Sequence, residues 1–204
     1  MTDVRYGFRM LLKSPGFSIV AIITLALGIG ANSAIFSVID TVLLRPLPFQ
    51  HPNELAMLWS ATNKGTSQET HSFPDYEDFR AQAKSFSALS AYVQTSTVLS
   101  TNGDPIELEG VAATSDIFSV LRVAPLLGRT YTRAEDDPAA RVVILTYETW
   151  QRYFNGDPKI IGRQVRLALN PYTVIGVMPR GFQFPVGTRS EYLIPPQPLV
   201  ASAL

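Results

Sequence analysis

The sequence predicts an α+β protein: one N-terminal transmembrane helix followed by a mixed α/β domain on the far side of the membrane. Three observations carry this. Residues 14–39 hold no formal charge and are nearly all apolar or small, which exceeds the roughly 20 residues a span requires. From residue 54 onward the pattern runs strand, helix, hairpin, helix, strand, helix, hairpin, as expected for helices layered on small mixed sheets. No second apolar run of membrane length follows. The boundaries read as a basic cytoplasmic flank at 1–14, a transmembrane helix at 15–44 and an exported domain at 45–204.

The chain has 204 residues, 46% hydrophobic and 17% charged, a composition that folds. It holds 17 basic and 17 acidic residues, a net charge of zero, which argues against an electrostatic nucleic-acid binder. The balance is uneven along the chain. Arg5, Arg9 and Lys13 face only Asp3 at the N-terminus, and the positive-inside rule keeps that end cytoplasmic. Residues 3–12 read either as a short amphipathic helix on the inner surface or as the plain basic flank of the span. Two other readings compete for the apolar run: a buried core helix, and a signal peptide cleaved at Ala31-Asn32-Ser33. The run is too long and uncharged for the first, and it continues past the small residues that the second would need.

Inside the run, Ala26, Gly30 and Ala34 recur every four residues, with Gly28 and Asn32 nearby. Small residues at that spacing let helix backbones approach, and Asn32 can hydrogen-bond across such a contact. These residues are the candidate helix-packing site. Asp40 falls at the outer end, where it reaches the interface at little cost.

After Arg45-Pro46-Leu47-Pro48-Phe49 ends the helix, residues 54–61 read as a strand and 63–70 as a polar loop. Ser72 then caps a helix on which Phe73, Tyr76, Phe79, Ala83 and Phe86 share a face, with Asp75, Glu77 and Asp78 at its dipole-favoured start. Residues 92–100 and 106–113 form a hairpin about Asn102-Gly103, Ile106 and Leu108 alternating with Glu107 and Glu109. Thr114 caps a short helix to Leu121, and 133–140 is an acidic loop. Residues 142–145 make a short buried strand, and Thr146 starts a helix with Tyr147, Trp150 and Phe154 on one face. A second hairpin, 164–169 and 172–177, turns at Asn170-Pro171.

Few residues carry chemistry. The chain has no cysteine, so thiolate zinc sites and a cysteine nucleophile are excluded. The phosphate-binding pattern G-x-x-x-x-G-K-[ST] is absent, and Gly28-Ile29-Gly30 sits inside the apolar run. His51 and His71 lack metal-ligand spacing, and His71-Ser72 has no nucleophile elbow around it. The acidic groups Asp75/Glu77/Asp78 and Glu135/Asp136/Asp137 read more simply as a helix start and a solvated loop than as a glycosidic pair. The expectation is a non-enzyme with no cofactor and no metal.

Several stretches together resemble a known family. They are Leu43-Leu44-Arg45-Pro46-Leu47-Pro48-Phe49, then Ser72-Phe73-Pro74-Asp75-Tyr76 with Phe79-Arg80, then Tyr147-Glu148 and Trp150-Gln151-Arg152 after the 140–145 strand. Gly156-Asp157-Pro158, Ile161-Gly162-Arg163 and Tyr172-Thr173-Val174-Ile175-Gly176-Val177-Met178-Pro179 complete the series. In this order they resemble the MacB/FtsX-type ABC transporter permeases, especially the acidobacterial subgroup with a duplicated permease architecture.

The resemblance implies a bacterial inner-membrane subunit whose first helix leads into a MacB-like periplasmic core domain, with three further spans after it. It implies an ABC ATPase in trans or fused, a second permease copy or other transmembrane helices, a periplasmic partner, and mechanotransmission of ATP-driven helix movement. It implies no nucleic acid. Because the later spans are missing, the chain is expected to be an N-terminal fragment. Two alternatives stand beside this reading: an independent membrane-anchored periplasmic binding or interaction domain, and an anchored hydrolase.

Overall fold

The computed structural model describes residues 15–39, 49, 51–61, 68–69, 72–100, 104–137 and 139–196. It divides into two compact units, Met1–Pro46 and Leu47–Leu204. The sequence expectations for the basic flank, Asp40, the proline exit, the loop at 62–67, His71 and the Asn102-Gly103 turn lie outside the described residues.

In the first unit, one unbroken helix, α1, runs Pro15–Ile39. At ~1.5 Å per residue its 25 residues extend about 37 Å, more than the hydrocarbon core of a bilayer. Nothing in it interrupts the helical ladder, and Thr24 returns its hydroxyl to the Val20 carbonyl at 2.8 Å, which removes a polar group from an apolar surrounding.

The second unit begins with a 3-10 turn at Pro52–Glu54. Of the strand expected at 54–61, only β1 (Ser60–Ala61) forms, paired with β2 (Gln68–Glu69) where a loop was expected. Residues 55–59 form neither helix nor strand, and no described strand pairs with them. An apolar run signals a strand, yet a strand exists only where a partner backbone lies alongside.

Helix α2 (Phe73–Gln82) starts as expected. Ser72 accepts from the Asp75 N–H while Asp75 accepts from the Ser72 N–H, a complete capping box. The expected apolar face is shorter than the sequence implies. The helix stops at Gln82, Phe86 lies beyond it, and Tyr76 is its one buried residue while Phe73 and Phe79 stay exposed.

The remaining strands are β3 (Tyr92–Ser100), β4 (Ile106–Ala113), β5 (Leu127–Gly128), β6 (Val142–Leu145), β7 (Gln164–Leu167), β8 (Asn170–Val177) and β9 (Tyr192–Ile194). Their order is β5-β8-β6-β9-β4-β3-β7, and β7 also pairs β8. Six strands therefore close into a ring, which removes open sheet edges along most of its length. The β4–β9 and β6–β8 pairs are parallel and the others antiparallel.

Alternation sorts the side chains. Leu108 and Ala112 of β4, Val143 and Leu145 of β6, Tyr192 and Ile194 of β9 and Leu99, Val165 and Leu167 build one core that draws on every strand of the ring, and Trp150 joins it. Val111, Ala113, Ile144 and Leu193, one residue out of phase, build a second core with Phe118, Tyr131, Phe182 and Phe184. On β8 the phase shifts. Val143 faces Val174 but Ile144 faces Gly176, so Ile175 is an extra residue. This bulge is why Val174 and Val177, an odd number apart, share the first core.

Two more expectations are corrected. The short helix α3 spans Ile117–Val120 with Asp116 at its N-cap, and Thr114 instead ties the start of β3, taking the Ala91 N–H at 3.2 Å and meeting Ser90 Oγ at 2.9 Å. The β7–β8 turn is Ala168-Leu169, with Leu167 opposite Asn170. Pro171 sits within β8 opposite Arg166, at a stretch β6 has not reached, so its missing donor costs no ladder bond on that flank. Helix α4 (Tyr147–Phe154) follows Thr146 as expected, although the Thr146 hydroxyl turns to Thr149 and the Glu191 carbonyl.

Candidate functional site

The candidate site on α1 is set by helical rotation. At about 100° per residue, Ala26, Gly30 and Ala34 drift slowly along one strip. Ser33 and Ser37 fall on that strip too, a repeat of seven and eleven from Ala26 that the four-residue spacing alone did not reveal. Asn32 does not share it. It lies about 200° round from Gly30, one turn from Gly28 on the opposite side. The helix thus carries two small-residue faces, one hydroxyl-lined and one with an amide. Its large side chains are open, with Phe17 72% and Leu27 74% exposed. Residues Pro15–Ser37 have mean hydropathy 2.1. Such a surface is stable only against lipid or other apolar helices.

In the second unit, polar side chains join the outer elements to the ring. Arg80 of α2 reaches Asp116 at 3.1 Å. The Tyr76 hydroxyl lies 3.3–3.4 Å from the Leu89 carbonyl, Thr114 Oγ1 and Asp116 Oδ2, and burial raises its pKa. Asp136 takes the Ser115 N–H at 2.8 Å and its hydroxyl at 2.7 Å. Its carboxyl is raised by burial, with the two Ser115 bonds opposing. Next to it, Glu135 binds Arg129 through both oxygens at 2.7 Å, and those bonds first, then the Thr132 groups, hold it at about 2. The acidic loop is a solvated stretch, exposed at Arg133, Ala134, Asp137 and Ala139, that also carries these fastenings.

Three other sequence candidates are likewise engaged in structure. Asp75 serves the capping box, Glu77 lies 3.7 Å from Arg133, and His51 lies 3.7 Å from Glu54. Among the described residues no group of three or more His, Asp or Glu is placed to hold a metal ion. The stretches that carried the resemblance are joints as well. Asp157 accepts the Lys159 N–H, Gly162 at φ +85° donates to the Val174 carbonyl at 2.7 Å, and Glu148 accepts the Gly181 N–H. Each fixes a turn where the chain enters or leaves the ring.

That pattern of joints has a match. The sequence pattern of the MacB-like periplasmic core domain matches residues 18–203. The chain belongs to this family. The MacB-like domain is structurally similar to the extracellular domain of the noncanonic ABC-type transporter YknZ from Gram-positive bacteria. That match has 19% identity and a TM-score of 0.51, over 61% of this chain and 62% of that one. It is also similar to the periplasmic region of MacB from Actinobacillus actinomycetemcomitans, with 17% identity, a TM-score of 0.47, and 60% and 63% of the two chains covered. The likeness spans about three-fifths of each solved domain and concerns the fold. No curated protein matches the chain.

The family match and the fold agree with the expected α+β class, the apolar N-terminal helix and the resemblance to MacB/FtsX-type permeases. The MacB-like match begins at Ser18, inside α1, and continues through the ring. Helix and ring therefore belong to one family pattern.

Proposed function

We propose that this chain is the membrane-anchored core-domain part of a permease in an ABC-type transport or mechanotransmission system. Residues 1–14 lie in the cytoplasm, 15–44 cross a bacterial inner membrane and 45–204 stand in the periplasm. The observation that carries this is the single family match running from within the apolar helix to residue 203. Two kinds of support join it. The exposed helix needs lipid or helical neighbours, and the ring is built from hydrogen-bonded joints with side chains committed to holding shape.

In this reading Ala26, Gly30 and Ala34, with Ser33 and Ser37, form the face against one transmembrane neighbour, and Gly28 with Asn32 the face against another. A second permease copy or further spans supply those neighbours. An ABC ATPase in trans supplies the work, and the ring passes it to a periplasmic partner. The chain supplies binding and shape, with no cofactor of its own.

Reporter fusions test the topology. A reporter active only outside the cytoplasm should work after Phe49 and fail before Arg5, with the reverse for a cytoplasmic reporter. A mature protein recovered in solution and beginning near Ala34 overturns the reading. Co-purification separates the alternative. An independent anchored binding domain keeps the same topology but brings no ATPase when the parent is isolated in mild detergent.

A further inference from the structure

The segment that leads into the ring, Phe49 with residues 51–59, is fastened differently from everything after it. Among the described residues its backbone makes no hydrogen bond to the ring, and its two turn bonds, Glu54 to His51 and Leu55 to Pro52, are internal. Phe49 and Leu55 rest half-buried on the second core, Phe49 edge-on to Phe184 at 6.5 Å. The Tyr92 hydroxyl approaches Met57 Sδ at 3.8 Å. Beyond these, one ion pair holds it, Arg122 Nη2 to Glu54 Oε2 at 2.7 Å. A cavity of about 140 Å³ remains beneath, lined by Phe49, Leu55, Phe86, Leu121 and Arg122.

The partner residue is itself unusual. Arg122 sits at φ +51°, just past α3, with the Val123 N–H returning to the Phe118 carbonyl at 3.1 Å. Helix ends of this type favour glycine, because a side chain there strains the backbone. Here a long cation occupies the position, and its head is committed to Glu54. Backbone strain retained under such a side chain points to a role for that side chain.

We propose that Phe49 and residues 51–59 form a strap that lifts off the ring as a unit, latched by the Glu54–Arg122 pair, while the ring stays closed. Opening the strap breaks no ladder bond among the described residues and uncovers Phe184, Leu121 and the floor of the cavity. The ring opens only by breaking strand pairs on both flanks of each strand. The two motions are therefore separable in free energy. The strap is also the first described part of the domain after α1 in sequence, so a pull along the chain meets the latch before the ring. That last role rests on the transmission reading above, whereas the latch itself does not.

The chain lacks cysteine, so single thiols report opening cleanly. In the full chain in micelles, Leu121→Cys lies under the strap, and Val143→Cys, fully buried in the first core on β6 between β8 and β9, reports opening of the ring. Labelling of Leu121→Cys by a water-soluble maleimide should be faster than that of Val143→Cys. It should rise about three- to ten-fold with Glu54→Arg and return with the swapped pair Glu54→Arg/Arg122→Glu. Val143→Cys should not respond to either change.

Arg122→Gly relaxes the backbone while deleting the latch, so it should speed Leu121→Cys labelling without raising Val143→Cys labelling. Should a thiol at 121 prevent folding, Leu55→Cys on the strap's own underside gives the same reading. Equal labelling rates at 121 and 143, or no response to Glu54→Arg, overturns the latch. Because no ATPase is present, that outcome leaves the permease reading untouched. A working latch in a protein whose termini map to the wrong sides would sink only the transmission role.

Discussion

The ring and the outer layer that precedes it in sequence are built from the same kinds of residue, yet they are held by different forces. In the ring, strands pair on both sides, and Leu108, Val111, Val143, Ile144 and Leu193 are fully buried. In the layer made by residues 49–59 and α2, Met57, Leu58, Trp59, Phe73 and Phe79 are 40% exposed or more. There the joints are side-chain bonds: Glu54 to Arg122, Arg80 to Asp116, Tyr76 to Thr114. Burying apolar surface is worth about 25 cal/mol per Å², and exposed ion pairs contribute roughly 0–1 kcal/mol each. Stability is therefore concentrated in the ring, and the outer layer is free to move at modest cost.

Truncations on the two sides measure that contrast most directly. Leu108→Ala should cost about 2–5 kcal/mol in denaturant unfolding, since the cavity lies in a fully buried ring position. Phe79→Ala on α2, 48% exposed, should cost under about 1 kcal/mol. Equal losses would erase the distinction between the layers. Gly128→Ala comes next. Its φ is +73°, and a Cβ there would run into the Ile175 carbonyl where β5 meets β8. A loss of about 2–4 kcal/mol should follow, visible as a lowered denaturation midpoint.

Two smaller effects sharpen the picture. The Tyr192 ring lies against Gly110, and its buried hydroxyl makes no well-formed hydrogen bond; burial pushes its pKa up to about 12, with the nearby Thr95 side chain opposing weakly. Tyr192→Phe should therefore be neutral or stabilise by up to about 1 kcal/mol. A clear loss in the same unfolding assay would mean the hydroxyl does useful work in the ring.

Glu135 supplies the smallest effect, through pH. Its folded pKa of about 2 lies below its usual 4.5. Between those values the unfolded chain binds more protons, so this contribution is present above pH 4.5 and fades as pH falls toward 2. Arg129 is half-exposed, so solvent screens the pair. Glu135→Gln should flatten the acid limb of the stability profile by under about 1 kcal/mol. Asp136, raised by burial, contributes with the opposite sign and should not mimic it.

How far the sequence could be read depended on whether its signals were local. The capping box at Ser72 and Asp75 and the β3–β4 hairpin with its Glu107/Leu108 alternation involve residues a few positions apart, and they formed as expected. So did the helix after Thr146. Failures came where a partner distant in sequence decides. The 54–61 strand lost most of its length because, among the described residues, no strand pairs with 55–59. Thr114 abandoned its expected cap to hold Ser90 and Ala91. The acidic loop at 135–136 found Arg129 and Ser115.

Composition and spacing alone determined that residues 15–39 form an apolar helix long enough to cross a membrane, that the rest is mixed α/β, and that a chain without cysteine holds no thiolate chemistry. These are properties of short windows, where periodicity and hydropathy act directly on the backbone. Only the tertiary structure decided that β7 also pairs β3 and closes the ring, that Ile175 is a bulge, and that Arg122 at a left-handed position reaches Glu54. Those outcomes depend on strand partners and a charge pair far apart in sequence, joined by loop closures whose cost rises only slowly with length.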